Sequence, residues 1–160
     1  MTLPQTAALL VLVVAALTPH LVLAGAGVDR LLVQIPGWYR IGPRAFATYA
    51  RATDLANGLV VYPVLGISGP LFTWAALVVA VVQGAPRPVT VPLVAASVLC
   101  VLHSVATSQA APTMLRVRHA GDEVGTIAPL LDRFVRISIV RAVLQVMAAV
   151  ALLWALVAGW

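Results

Sequence analysis

Four long apolar runs divide the chain, and the polar positions gather between them instead of alternating with them. The runs cover residues 7–28, 55–82, 89–111 and 137–159. About 20 residues wound as a helix cross a hydrocarbon core of about 30 Å, so each run is long enough to span. Only a helix pairs its own backbone groups in lipid, which predicts helices despite the many Val residues. The expected fold is all-α: a four-helix transmembrane bundle, built as one integral membrane domain over residues 1–160.

Local signals refine this picture. Leu23-Ala24-Gly25-Ala26 resembles a signal-peptide cleavage site, but no basic residue precedes the run and the run is long, so an uncleaved span is expected. The second run carries Pro63, Gly66, Gly69 and Pro70, which predicts a bent helix packed closely through its glycines. In the first connecting segment, Pro43 after Gly42 marks a helix start. Phe46, Tyr49, Ala50 and Thr53 follow at helical spacing, so a short interfacial helix is expected there. Trp38 and Tyr39 are expected at headgroup depth as aromatic anchors. Gly121-Asp122-Glu123 reads as a turn, and Thr126 to Asp132 as a short helix leading into the last span.

Composition supports the membrane assignment. Hydrophobic residues make up 62% and charged residues 9%, against about 25% charged in soluble domains. All 10 basic residues are Arg, and their distribution is uneven. Segment 29–54 holds Arg30, Arg40, Arg44 and Arg51; segment 112–136 holds Arg116, Arg118, Arg133 and Arg136; segment 83–88 holds only Arg87. The positive-inside rule therefore places 29–54 and 112–136 in the cytoplasm and both termini outside. Arginines scattered over short connections do not form the basic stripe of a nucleic-acid binder, so no nucleic-acid partner is expected. The Ala, Val, Arg, Gly and Pro bias suits a GC-rich genome, and a bacterial inner membrane is the expected location. Membrane lipid is the expected partner, with a small apolar aromatic ligand and self-association both compatible with the pattern. The single Cys100 excludes an intramolecular disulfide and a cysteine zinc site, and reads as a small buried hydrophobe.

Polar side chains inside a span are costly, so they mark candidate chemistry. His20 lies about eight residues inside the first run, Tyr62 seven inside the second, His103 seven or eight inside the third and Gln145 eight inside the fourth, all roughly 10–12 Å deep at 1.5 Å per residue. Asn57, Thr107, Gln109 and Arg141 lie nearer the Arg-rich end. Facing inward, these residues would line a polar pocket open to the cytoplasm, with Gln145, Thr107 and Gln109 as its walls. The alternative is a set of interhelical hydrogen bonds that only hold the bundle. Two span histidines and no span carboxylate do not make a zinc or iron site. They are enough for a b-type haem with His20 and His103 as axial ligands, so that remains an alternative. A catalytic reading needs no cofactor. His20 or His103 would be a general base, and Arg141, Tyr62 and Asn57 would steady a developing oxyanion. A non-enzymatic binding protein or partner subunit is the competing class.

Three stretches carry a resemblance. Tyr49 to Pro63 reads YARATDLANGLVVYP, Ala111 to Arg116 reads APTMLR, and Asp132-Arg133-Phe134-x-Arg136 precedes Arg141. Together they resemble the anthrone oxygenase-like family of small four-span membrane proteins. The chain departs from the family pattern at Thr113-Met114 and Ile137, where family members often carry Asn and Trp. The resemblance implies a four-helix fold over nearly the whole chain and, for an active member, oxidation of an anthrone to an anthraquinone without an obvious cofactor.

Overall fold

The described residues of the computed structural model are 3–159 apart from residue 122, with side chains from Thr6 onward. They form six α-helices and no strand: α1 (Leu3–Asp29), α2 (Ile35–Ile41), α3 (Pro43–Ala52), α4 (Gly58–Val82), α5 (Arg87–His119) and α6 (Val124–Ala158). A π-helical turn, Arg30–Gln34, joins α1 to α2 without a break. Four segments are long and apolar enough to cross a membrane: Thr6–Ile41, Gly58–Val82, Arg87–His119 and Val124–Ala158. The expected all-α transmembrane bundle is therefore present.

α1 packs on α4 and α6, and α5 packs on the same two, so α6 closes a ring of four around a common axis. Buried alanines at 16, 76, 80, 96, 148, 149 and 155 let the helices approach closely. In lipid such close packing replaces the hydrophobic drive that water would supply. Val11, Val64, Val78 and Val157 stay on the outer surface, as lipid-facing side chains do.

Among the described residues the interior has two apolar cores. One joins Leu9, Val13, Leu17, Ala80, Leu93 and Leu152 at the end that carries Arg87. The other joins Trp38, Phe46, Leu55, Met114, Ile127 and Phe134 at the Arg-rich end. The polar residues described below lie between them.

Helix boundaries depart from the apolar runs. α5 has 33 residues and α6 has 35, each about 50 Å long, well beyond a ~30 Å hydrocarbon core. The segment expected as a 112–136 loop is therefore mostly helix, broken only at residues 120–123, and the short helix expected at Thr126 is the start of α6. Within the expected turn, residue 122 lies outside the described residues, as does Trp160. Arginines end the hydropathy signal but not the helix, because Met114, Val117, Ile127 and Leu131 continue a buried stripe. The first span likewise runs on to Ile41. Pro43 does begin α3, as expected, and Gly42 before it turns the chain at φ 83°, a left-handed conformation that suits glycine. Trp38, expected as a headgroup anchor, is instead only 3% exposed. It stacks on Tyr39 with ring centroids 4.6 Å apart and meets Phe46 at 5.7 Å, because folding α3 back on α2 covers it. α4 runs continuously through Pro63 and Pro70.

Arg51 fastens α3 to the α5–α6 hairpin. Its guanidinium donates to the carbonyls of Val117 at 3.3 Å, of Ala120, and of Gly121 at 3.3 Å. These include carbonyls at the C-terminus of α5, which lack helical partners and attract a cation. Arg51→Ala is expected to cost about 1–2 kcal/mol, the worth of charge-assisted bonds in a partly exposed setting. Hydrogen exchange would show it as faster exchange confined to α3 and the hairpin.

Candidate functional site

His20 is the point where all four spans meet. It is 2% exposed, on the inner face of α1. Gln145 of α6 donates through Nε2 to His20 Nδ1 at 2.6 Å and to the His20 carbonyl at 3.2 Å. With Nδ1 accepting, Nε2 carries the ring proton. That proton faces Thr73 Oγ1 of α4 at 3.2 Å, and the Thr73 hydroxyl donates to the Gly69 carbonyl at 2.8 Å. Cys100 Sγ of α5 lies 3.5 Å from the same Nε2. Gly69 makes room for the imidazole, since a Cβ there would stand 3.1 Å from His20 Nε2. The expectation of close packing holds at Gly69 but not at Gly66, where a Cβ would meet nothing within 4 Å.

One helical turn toward the Arg-rich end, α5 presents His103 and α6 presents Arg141. Cys100 and Gln145 both touch His20, so stepping along the two helices from those residues brings His103 and Arg141 to the same level. His103 is 9% exposed and makes no hydrogen bond among the described residues. It lies within electrostatic reach of both Arg141 and His20. Arg141 has no ion-pair or hydrogen-bond partner among the described residues, and its Nε is buried and unsatisfied. One turn further on stand Thr107 and Ser138, whose hydroxyl oxygens are also buried without a partner.

A charged group closes this end. Arg30, on the π-helical turn, pairs with Asp54 at 2.6 Å, both side chains being only 14% and 13% exposed. The Arg30 guanidinium sits 5.7 Å from the Tyr62 ring centroid and 5.5 Å from that of Phe134. Tyr62 faces Asp54, and Arg141 lies within electrostatic reach of Arg30, Asp54 and Tyr62. π-helical turns recur at functional sites because the extra residue redirects one side chain.

Of the residues singled out in the sequence, His20, His103, Arg141, Tyr62, Thr107 and Gln145 are thus gathered inside the bundle, over about three helical turns from the His20–Gln145 contact to the Arg30 group. Asn57 and Gln109 are not. Asn57 lies in the turn before α4, which begins at Gly58, and is exposed there. Gln109 is on the outer face of α5. Sequence reasoning missed Arg30, Asp54, Thr73 and Ser138. Among the described residues no group of three or more His, Cys, Asp or Glu side chains is placed to hold a metal ion. Among the described residues, two cavities are lined by no residue of the layer. One of about 690 Å³ lies by the α5–α6 hairpin, lined by Leu115, Arg116, His119 and Pro129. The other, about 180 Å³, lies at the opposite end beside Leu9, Val89 and Leu156. Comparison with protein-family models, with curated proteins and with solved structures finds no match.

Proposed function

We propose that this chain is a multi-pass protein of the bacterial inner membrane, with its Arg-rich end in the cytoplasm, that acts as a cofactor-independent oxygenase on a small apolar aromatic compound. One observation carries the reading: His103 and Arg141 share a level inside the bundle, and neither spends its hydrogen-bonding capacity on the fold. Unsatisfied polar groups in a buried layer need a reason, and a substrate is a reason. The resemblance of Tyr49 to Pro63, Ala111 to Arg116 and Asp132 to Arg136 to anthrone oxygenase-like proteins points the same way.

The chemistry follows from the two groups. His103, as a neutral imidazole, takes a proton from an activated CH₂ carbon flanked by aromatic rings. The electron pair left behind spreads onto a conjugated oxygen, which Arg141 and the Tyr62 hydroxyl steady. The carbanion forms a carbon–oxygen bond to dioxygen. Loss of the second hydrogen with cleavage of the O–O bond then leaves a ketone and water. The sum is CH₂ plus O₂ giving C=O plus H₂O, with dioxygen as the only oxidant. His20 is a positioning residue in this scheme, since both its ring nitrogens are engaged. For the same reason a haem held between His20 and His103 draws no support. An apolar substrate reaches the layer from the lipid by parting α4 and α5, which make the thinnest contact in the ring.

The test is oxygen uptake by purified protein in nanodiscs supplied with anthrone. Turnover above the buffer rate, with one dioxygen consumed and one labelled oxygen retained per ketone, is expected. A rate no faster than buffer overturns the reading for that substrate.

A further inference from the structure

Resting on that reading, we infer that the layer selects its ligand by charge, taking the monoanion of an apolar acid: a phenolate, enolate or carboxylate carried on an aromatic body. The observation is a charge count at a part-buried place inside the bundle. Arg30 and Arg141 bring two positive charges, and Asp54 brings one negative charge that Arg30 already holds at 2.6 Å. Arg141 is left as a cation without a counter-ion among the described residues, inside a membrane span.

A part-buried cation of this kind inside a span is expensive, and proteins keep one where something completes it. The surroundings describe what completes it. Of the four buried side-chain atoms without a hydrogen-bond partner among the described residues, three belong to this region: Thr107 Oγ1, Ser138 Oγ and Arg141 Nε. Both hydroxyls can donate, as Arg141 does, so all three atoms suit an oxygen that only accepts. Ser138 is 5% exposed, so its empty hydroxyl is not waiting for bulk water. One spare positive charge matches one ionised oxygen and disfavours a dianion such as a phosphate monoester. The Phe134 and Tyr62 rings beside the charged group suit an aromatic body on the same ligand.

The probe is 2-naphthoate, which has no oxidisable CH₂, against its neutral counterpart 2-naphthamide. Binding is read by tryptophan fluorescence in nanodiscs of zwitterionic lipid. Naphthoate is expected to bind about tenfold tighter or more. Arg141→Gln should erase the difference and Arg141→Lys should keep most of it, which separates charge from shape. Asp54→Asn, by freeing a second cation, should widen the preference, and this variant keeps the test decisive if Arg141→Gln fails to fold. Equal affinity for the two probes in the wild type, or a naphthoate preference surviving in Arg141→Gln, overturns the inference. Naphthoate preference with no anthrone oxidation sinks the oxygenase reading alone. Anthrone turnover with no charge preference sinks this inference alone.

Discussion

His20→Ala is expected to destabilise the bundle by about 3 kcal/mol, the largest stability loss of any single change in the polar layer. The cost has three parts. Gln145 loses the acceptor of its 2.6 Å bond and is left buried with an unmet donor, and a buried polar group so stranded costs about 1–3 kcal/mol. The bond facing Thr73 disappears, at roughly 0.6–1.7 kcal/mol for a bond between membrane helices. The vacated imidazole leaves a cavity that four rigid helices cannot fully close. Thr73→Val should cost less than about 1 kcal/mol, because it removes one neutral partner and keeps the volume. Gly69→Val should approach the His20→Ala loss by a different route, since its Cβ would press to 3.1 Å from the imidazole and the branch methyls closer still. Thermal unfolding in detergent reads all three. An unfolding midpoint for His20→Ala equal to that of the wild type would show that the four-helix junction holds nothing.

The parts of this layer that the sequence reveals, and the parts it hides, follow from geometry. Depth is legible, because residues count off along a helix at 1.5 Å each. Counting depth puts His20, Tyr62, His103 and Gln145 at one level, and the fold sets Gln145 against His20 with His103 one turn further along α5. Azimuth is less legible. Gln109 is two residues from Thr107, about 200° around the helix, so one faces in and the other out at nearly the same depth. Asn57 fails for another reason: the apolar run starts before the helix does, and the residue sits in the turn. In the sequence Arg30 carries only a topological meaning and Asp54 none of its own, so their pairing is not legible there. Nothing local links two residues 24 apart, and only the fold closes Asp54 against the π-helical turn. Thr73 was invisible because a threonine in a membrane helix ordinarily bonds back to its own chain. Thr73 does so too, and it accepts from His20 in addition. At the Arg-rich end, charge masks the buried stripe of Met114, Val117, Ile127 and Leu131 that carries the helices beyond the apolar runs.

His103→Leu should separate the chemistry from the fold, and here the expected effects have opposite signs. The imidazole contributes no hydrogen bond to the structure, yet it is 9% exposed, so the fold carries the cost of burying it. A leucine of similar volume removes that cost, and the variant should unfold at the same temperature as the wild type or a few degrees higher. Groups retained at the expense of stability are characteristic of working sites. Oxidation of anthrone should fall by about 10²–10⁴, the range lost with a general base. His20→Ala offers the contrast: its activity should fall along with its stability, because Gln145 and the helices around it lose their anchor. Measuring turnover and unfolding on the same preparations therefore distinguishes a base from a structural histidine. A His103→Leu protein that oxidises anthrone at the wild-type rate removes His103 from the reaction. One that unfolds well below the wild type shows the imidazole to be a packing element, and the unpartnered pair at the centre of the bundle would then need another explanation.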